Sequence, residues 1–231
     1  MKTNENIRKI NDHLDNFKST LNAIIEYSLK SDIFIKETTE KIEEDINEKT
    51  KGLEMDEMVN LMNVYYEEKL NKYIGLFPDI KNKSLIILAY SFLETSLRNL
   101  SYLIRAIEKI KTKPENFRGD GILKYKLFLT NEVGINFQTF KSSWNKINNF
   151  RLVRNTIVHS QSDLEINDRI SDSEKIKLIA YIKTLKGVVI INDRYIGITN
   201  TEYIIESLKL IEELIDKISN SYIVSIKKHL N

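Results

Sequence analysis

From Ser84 to Ile110 apolar residues return at every third or fourth position, through Ile86, Ala89, Leu93, Leu97, Leu100, Ile104 and Ile107. Leu85, Ile87, Leu88, Tyr90 and Phe92 widen that stripe around its first half. A helical period that is apolar on most sides predicts a helix buried by others packed against it, so the rest of the chain has to supply the cover. Ile7, Ile10, Leu14, Phe17, Leu21, Ile24, Ile25 and Leu29 predict one covering helix over residues 4–31. Met58, Leu61, Met62, Val64, Tyr65, Leu70 and Tyr73 predict another over 55–74, ended by the stretch GLFPDIKNK. Residues 32–54 carry few apolar side chains, and an exposed helix or a mobile connection is expected there.

Only seven glycines and two prolines interrupt 231 residues, which favours long helices over many short strands. The expected fold class is all-α, an up-and-down helical bundle with one small β-hairpin before the last helix. The hairpin is predicted over 188–198, where β-branched runs flank Asn192 and Asp193. Shorter helices are expected over 122–132 and 173–185, after a loop at 114–121. Thr201 is the expected cap of the last helix. Its apolar face runs from Ile204 through Ile218 toward Leu230, with Lys227, Lys228 and His229 suiting the helix dipole at the end. Residues 1–75 are read as a helical extension packed on a core of 76–231.

Cysteine is absent, so there is no disulfide framework or thiolate metal site, in keeping with a reducing compartment. No apolar run approaches the roughly 18 to 20 residues that span a bilayer, and the first residues lack a signal-peptide core. A cytoplasmic protein without membrane contact is expected. The net charge of +2 is unevenly spread. Residues 31–70 hold 12 acidic and 5 basic side chains, net −7, whereas 105–155 hold 11 basic and 4 acidic, net +7. A basic half of this kind suits a polyanion such as RNA, and equally a plain solvated surface. Tyr65, Tyr66 and Tyr125 are aromatic candidates for stacking on bases, although such spacings also serve a core.

Within the basic half, Asn136 as N-cap followed by Phe140, Trp144, Ile147, Phe150 and Ile157 predicts an amphipathic helix over 137–160. Asn148, Arg151, Asn155 and His159 fall at steps of three or four and form a polar stripe along it, with Arg154 turned about 100° from Asn155. An imidazole can take or give a proton near neutral pH, a guanidinium can grip a phosphate through two hydrogen bonds, and an amide can orient either. That set suits cleavage of RNA, which carries its own 2′-hydroxyl nucleophile and needs a base, an acid and cationic donors but no metal. One chain offers one histidine at this place, because His13 and His229 lie near the two chain ends. If acid and base are both imidazoles, a second copy must bring the other, as a two-fold dimer would. No glycine-rich phosphate loop, HExxH helix or clustered metal-ligand set is present in the sequence.

Arg154, Asn155 and His159 have the spacing RNxxxH and resemble the R-x4-6-H motif of HEPN domains. The resemblance covers about residues 80–220: an apolar helix carrying an acidic residue, Glu94 in LAYSFLETSLRNL, precedes the motif helix, and a hairpin and amphipathic helix follow it. It implies a HEPN-type bundle that works as a homodimer through the motif helix. It also implies a metal-independent endoribonuclease without cofactor, of the stand-alone kind found in bacterial abortive infection and toxin–antitoxin systems, with RNA, tRNA included, as substrate and an antitoxin or defence-system protein as partner. Arg154, Asn155 and His159 take the catalytic roles on that reading, Arg151 and Lys146 contact phosphate, and Glu94 supports the site from behind. The alternatives are a non-catalytic interaction module and, for Glu94, a simple salt bridge to a neighbouring helix.

Overall fold

The computed structural model describes residues 2–166 and 170–228. Within them the protein is all-α apart from one two-stranded hairpin. Helix α1, Lys2–Thr50, runs on through the charged stretch in which a connection was one expectation. Apolar burial holds its first half, where Ile10, Phe17, Leu21 and Ile24 are buried. Farther along, ion pairs one turn apart take over, Lys30 with Glu26 at 2.6 Å and Lys49 with Asp45 at 3.1 Å. Such pairs support a helix without marking it in an apolar pattern.

Glu54 and Glu57 form a capping box that opens α2, Met55–Leu61. Two π-helical stretches, Met62–Tyr66 and Asn71–Leu76, flank α3, Glu67–Leu70, and lead into α4, Phe77–Glu108. The break expected at GLFPDIKNK is therefore absent. The Phe77 amide donates to the Lys72 carbonyl in a widened turn, and Pro78 follows within the first turn of α4, where its missing N–H costs least.

The chain forms two compact units, one from Met1–Ile24, Ile87–Asn155 and Ile205–Asn231, the other from Ile25–Ile86 and Thr156–Ile204. Residues 1–75 contribute to both. In the first unit the α4 row Ala89, Leu93, Leu97, Leu100 and Ile104 is wholly buried, together with Ile122, Phe128 and Leu129 of α5, Ile122–Asn131. Phe17 of α1 stacks on Phe92 at 5.0 Å. The Asn136 side chain accepts from the Gln138 amide at 3.0 Å and starts a 3₁₀ turn, Phe137–Phe140, that passes directly into α6, Lys141–His159. The helix expected over 137–160 is thus a tight turn followed by an α-helix. Trp144, Ile147, Phe150 and Val153 form its buried face within this unit. From α8, Glu202–Lys228, the Tyr222 hydroxyl donates to Glu108 at 2.6 Å and Asp216 pairs with Lys18 at 2.9 Å. His229 and Leu230, counted into the end of this helix from sequence, lie outside the described residues.

In the second unit Ser171 and Glu174 form the capping box of α7, Asp172–Ile182. Strands β1, Val188–Ile191, and β2, Tyr195–Ile198, pair antiparallel with Val188 opposite Ile198, within the bounds the β-branched runs indicate. Asn192 and Asp193 have φ of 52° and 54°, the left-handed pair that a two-residue hairpin turn needs. Asp163 ties the hairpin down: it accepts from Arg194 Nε at 2.7 Å and from the Glu165 amide at 2.8 Å, and this hydrogen-bonded cation holds its carboxyl below the usual range. Asp79 accepts from the Ile198 amide and Asn82 donates to the Ile198 carbonyl, both at 3.1 Å. The α8 start departs from expectation in detail, because the Asn200 side chain accepts from the Glu202 amide at 3.0 Å while the Thr201 hydroxyl donates to Asp32.

Gly187 has φ +73°, and a Cβ there would stand 2.0 Å from Asn200 Oδ1, the atom that caps α8. Gly187→Ala should combine the cost of a left-handed alanine with loss of the cap, about 2–3 kcal/mol. Gly52 has φ +83° with open space around it, so Gly52→Ala should cost only the first part, about 1 kcal/mol. Urea midpoints of the two variants at unchanged slope check the difference.

Candidate functional site

Helix α6 carries five of the six residues singled out from sequence, and its register decides which of them meet. Phe150 and Arg154 are one turn apart on one side of α6, as Tyr90 and Glu94 are on α4. These two pairs come together in the first unit. The Arg154 guanidinium carbon lies 5.1 Å from the centroid of the Tyr90 ring, and Phe150 packs on the same ring at 6.2 Å, tilted by 50°. Tyr90 is 4% exposed, so its ring is a fixed wall of the core with a cation laid on it.

Gly121 explains how the phenol end of Tyr90 is reached. It precedes α5 with φ 57° and ψ −125°, a conformation that glycine adopts readily. A Cβ at this position would lie 3.2 Å from the Tyr90 oxygen and 3.8 Å from each Glu94 carboxylate oxygen. Lacking one, the backbone comes in close and the Ile122 amide faces the phenol oxygen. Burial, then the Glu94 carboxylate, pushes the Tyr90 phenol up to about 12, against the opposing pull of Arg151, Arg154 and the Ile122 amide. Glu94, Arg151 and Arg154 are thereby all gathered within electrostatic reach of one buried phenol.

Arg154 is half-buried, donates from Nη1 to Asn155 Oδ1 at 3.1 Å, and has a buried Nε without a hydrogen-bond partner. Arg151 donates from Nε to Asn148 Oδ1 at 3.0 Å. His159 is the last residue of α6 and is exposed; one turn from Asn155, it shares that side of the helix through the winding of α6 itself. Lys146 is exposed and lies elsewhere on α6, where its charge helps to hold Glu213 of α8 below the usual carboxylate range, after the larger effects of Lys217 and Ser143. Of the tyrosines considered for stacking, Tyr66 and Tyr125 are buried and Tyr65 is exposed. His13 is half-buried, and burial lowers its pKa.

Tyr90 and Gly121 are the members of this group that sequence reading did not single out. Tyr90 counted as one more core residue, and the available signal was its position one turn before Glu94. In the first unit the arrangement offers an arginine seated on a buried ring with an amide beside it, which is a means to bind an oxyanion. An exposed imidazole, as at the end of α6, is a means to move a proton. Among the described residues no three His, Cys, Asp or Glu side chains are grouped as metal ligands, and no helix is long and apolar enough to cross a membrane. Compared with protein-family models, with curated proteins and with solved structures, the chain matches none.

A phenol raised in the folded state favours the folded form below about pH 10, the ordinary tyrosine value, and that contribution is lost as pH climbs toward 12. Wild-type stability should therefore fall over this range more steeply than that of Tyr90→Phe. Chemical denaturation at pH 9, 10 and 11 compares the two slopes, and equal slopes would refute the assignment.

Proposed function

We propose that this protein is a metal-independent endoribonuclease of the HEPN type, acting as a homodimer that pairs α6 with its symmetry mate. The observation that carries the reading is the short array on α6: Arg154 seated on Tyr90, Asn155 beside it, and His159 exposed at the helix end. A His159 sealed in the core would have favoured a purely structural module, and His159 is exposed.

In the proposed reaction one imidazole removes the proton of the RNA 2′-hydroxyl. The 2′-oxygen attacks the adjacent phosphorus, and the bond to the 5′-oxygen breaks. The second imidazole, from the partner copy, gives its proton to that leaving oxygen, so the products are a 2′,3′-cyclic phosphate and a 5′-hydroxyl. Arg154 stabilises the charge that builds on the phosphoryl oxygens, and Arg151 and Lys146 hold flanking phosphates. Asn155 orients Arg154 through its carbonyl oxygen, and Glu94 supports the arginines from α4. A growth-arrest or phage-defence setting, with an antitoxin or defence-system partner restraining the enzyme, follows from the same reading.

The test is cleavage of a labelled tRNA or total-RNA pool in EDTA by wild type, His159→Ala and Arg154→Ala. Wild type should cut and leave cyclic phosphate ends, with each variant slowed by at least about 100-fold. Cleavage abolished by EDTA, or equal in all three proteins, would overturn the proposal.

A further inference from the structure

We propose that Tyr90 is the positioning residue of this site: its ring seats the Arg154 guanidinium and so fixes the place at which that group meets substrate. The inference rests on the ribonuclease reading and adds a residue to it. Its starting point is the way an arginine seated over a ring differs from an ion-paired one. A cation held over a ring takes up no anionic partner and keeps its charge uncancelled. An arginine held by a carboxylate would spend two donors and its charge on that partner. Among the described residues no carboxylate stands at ion-pair distance from Arg154. Nη1 is engaged with Asn155 and Nε is buried without a partner, so substrate would meet the guanidinium through its remaining Nη donors.

The ring is itself held from several sides, as a positioning element must be. Phe150 packs on it one turn before Arg154 on α6, so the same helix that carries the guanidinium also presses the ring that receives it. At the far end the phenol oxygen stands against Gly121, where any side chain would begin 3.2 Å away, and faces the Ile122 amide. The amide meets the need of a buried hydroxyl for a partner and holds that end of the ring. The division of labour is that Tyr90 sets the orientation of Arg154 and Arg154 touches the phosphate.

The experiment uses the full chain as wild type, Tyr90→Phe and Tyr90→Leu, with matched helical circular dichroism and melting curves as the check on folding. Tyr90→Phe keeps the ring and should turn RNA over within about twofold of wild type. Tyr90→Leu should lower kcat roughly 10- to 30-fold with KM little changed, the size expected for loss of a desolvated cation–π contact. A second readout does not involve cleavage: the Arg154 Nε–H resonance, identified by its absence in Arg154→Lys. It should be shifted upfield by the ring current in wild type and Tyr90→Phe, and unshifted in Tyr90→Leu. Wild-type turnover in Tyr90→Leu, or equal damage in the Phe and Leu variants, overturns the positioning role. If the wild type cuts no RNA but shows the shifted resonance, the ribonuclease reading fails while the seat of Arg154 on Tyr90 stands. If it cuts RNA but the resonance is unshifted, the ribonuclease reading stands and the seat of Arg154 on Tyr90 fails.

Discussion

Burial of the α4 face in the first unit is the constraint from which the candidate site follows. Ala89, Leu93, Leu97, Leu100 and Ile104 are all fully buried, and removing side chains of the larger kind from water stabilises a fold by about 1.5–3 kcal/mol each. A helix secured so strongly cannot rotate to suit its polar residues, so each of these has to find its partner where the helix places it. Ser96 turns its hydroxyl back to the Phe92 carbonyl at 2.8 Å, and Glu108 accepts from Tyr222. Tyr90, buried beside that row, meets Phe150, Arg154 and the Ile122 amide. The apolar pattern thus dictates where the arginine of α6 is received.

Local signals made α4, the hairpin and α6 legible in the sequence. The stripe from Ile86 to Ile104 needs only its own period to be read as buried helix, and Asn192–Asp193 needs only its tolerance of positive φ to be read as a turn. The charged part of α1 was ambiguous because it is held by ion pairs and by contacts distant in sequence. Tyr66, for example, donates to Asp45 at 2.6 Å across a turn that the α1 sequence does not contain. The GLFPDIKNK stretch misled for the opposite reason: Gly75 and Pro78 are breakers by propensity, yet the π-helical turn before Pro78 lets the chain stay helical.

For the site the same distinction holds. Asn155 and His159 could be placed on one side because a helix relates residues four apart without help from the rest of the fold, and Arg154 is the sequence neighbour of Asn155. Tyr90 could not be joined to them, since its pairing with Arg154 joins two helices distant in the chain, and nothing in either segment alone specifies the crossing. Gly121 was legible only as part of a loop. Its close approach to Tyr90 and Glu94 appears once α5 is packed. Lys146 shares a helix with Arg154 and also acts electrostatically on Glu213 of α8, a relation between helices that its own segment does not specify.

The choice of a tyrosine rather than a carboxylate against Arg154 bears directly on the proposed chemistry. A half-buried guanidinium loses hydration and needs compensation, and an ion pair would offset that loss while cancelling much of the charge a phosphate must feel. A neutral aromatic face offsets part of the same loss and leaves the charge in place. Neutrality then has to survive near two arginines that favour the phenolate. Burial and the Glu94 carboxylate oppose them and push the phenol up to about 12, far above the range in which an imidazole exchanges its proton. Through every step of the proposed reaction Tyr90 therefore stays an uncharged platform, and Arg154 keeps its charge for the phosphoryl oxygens.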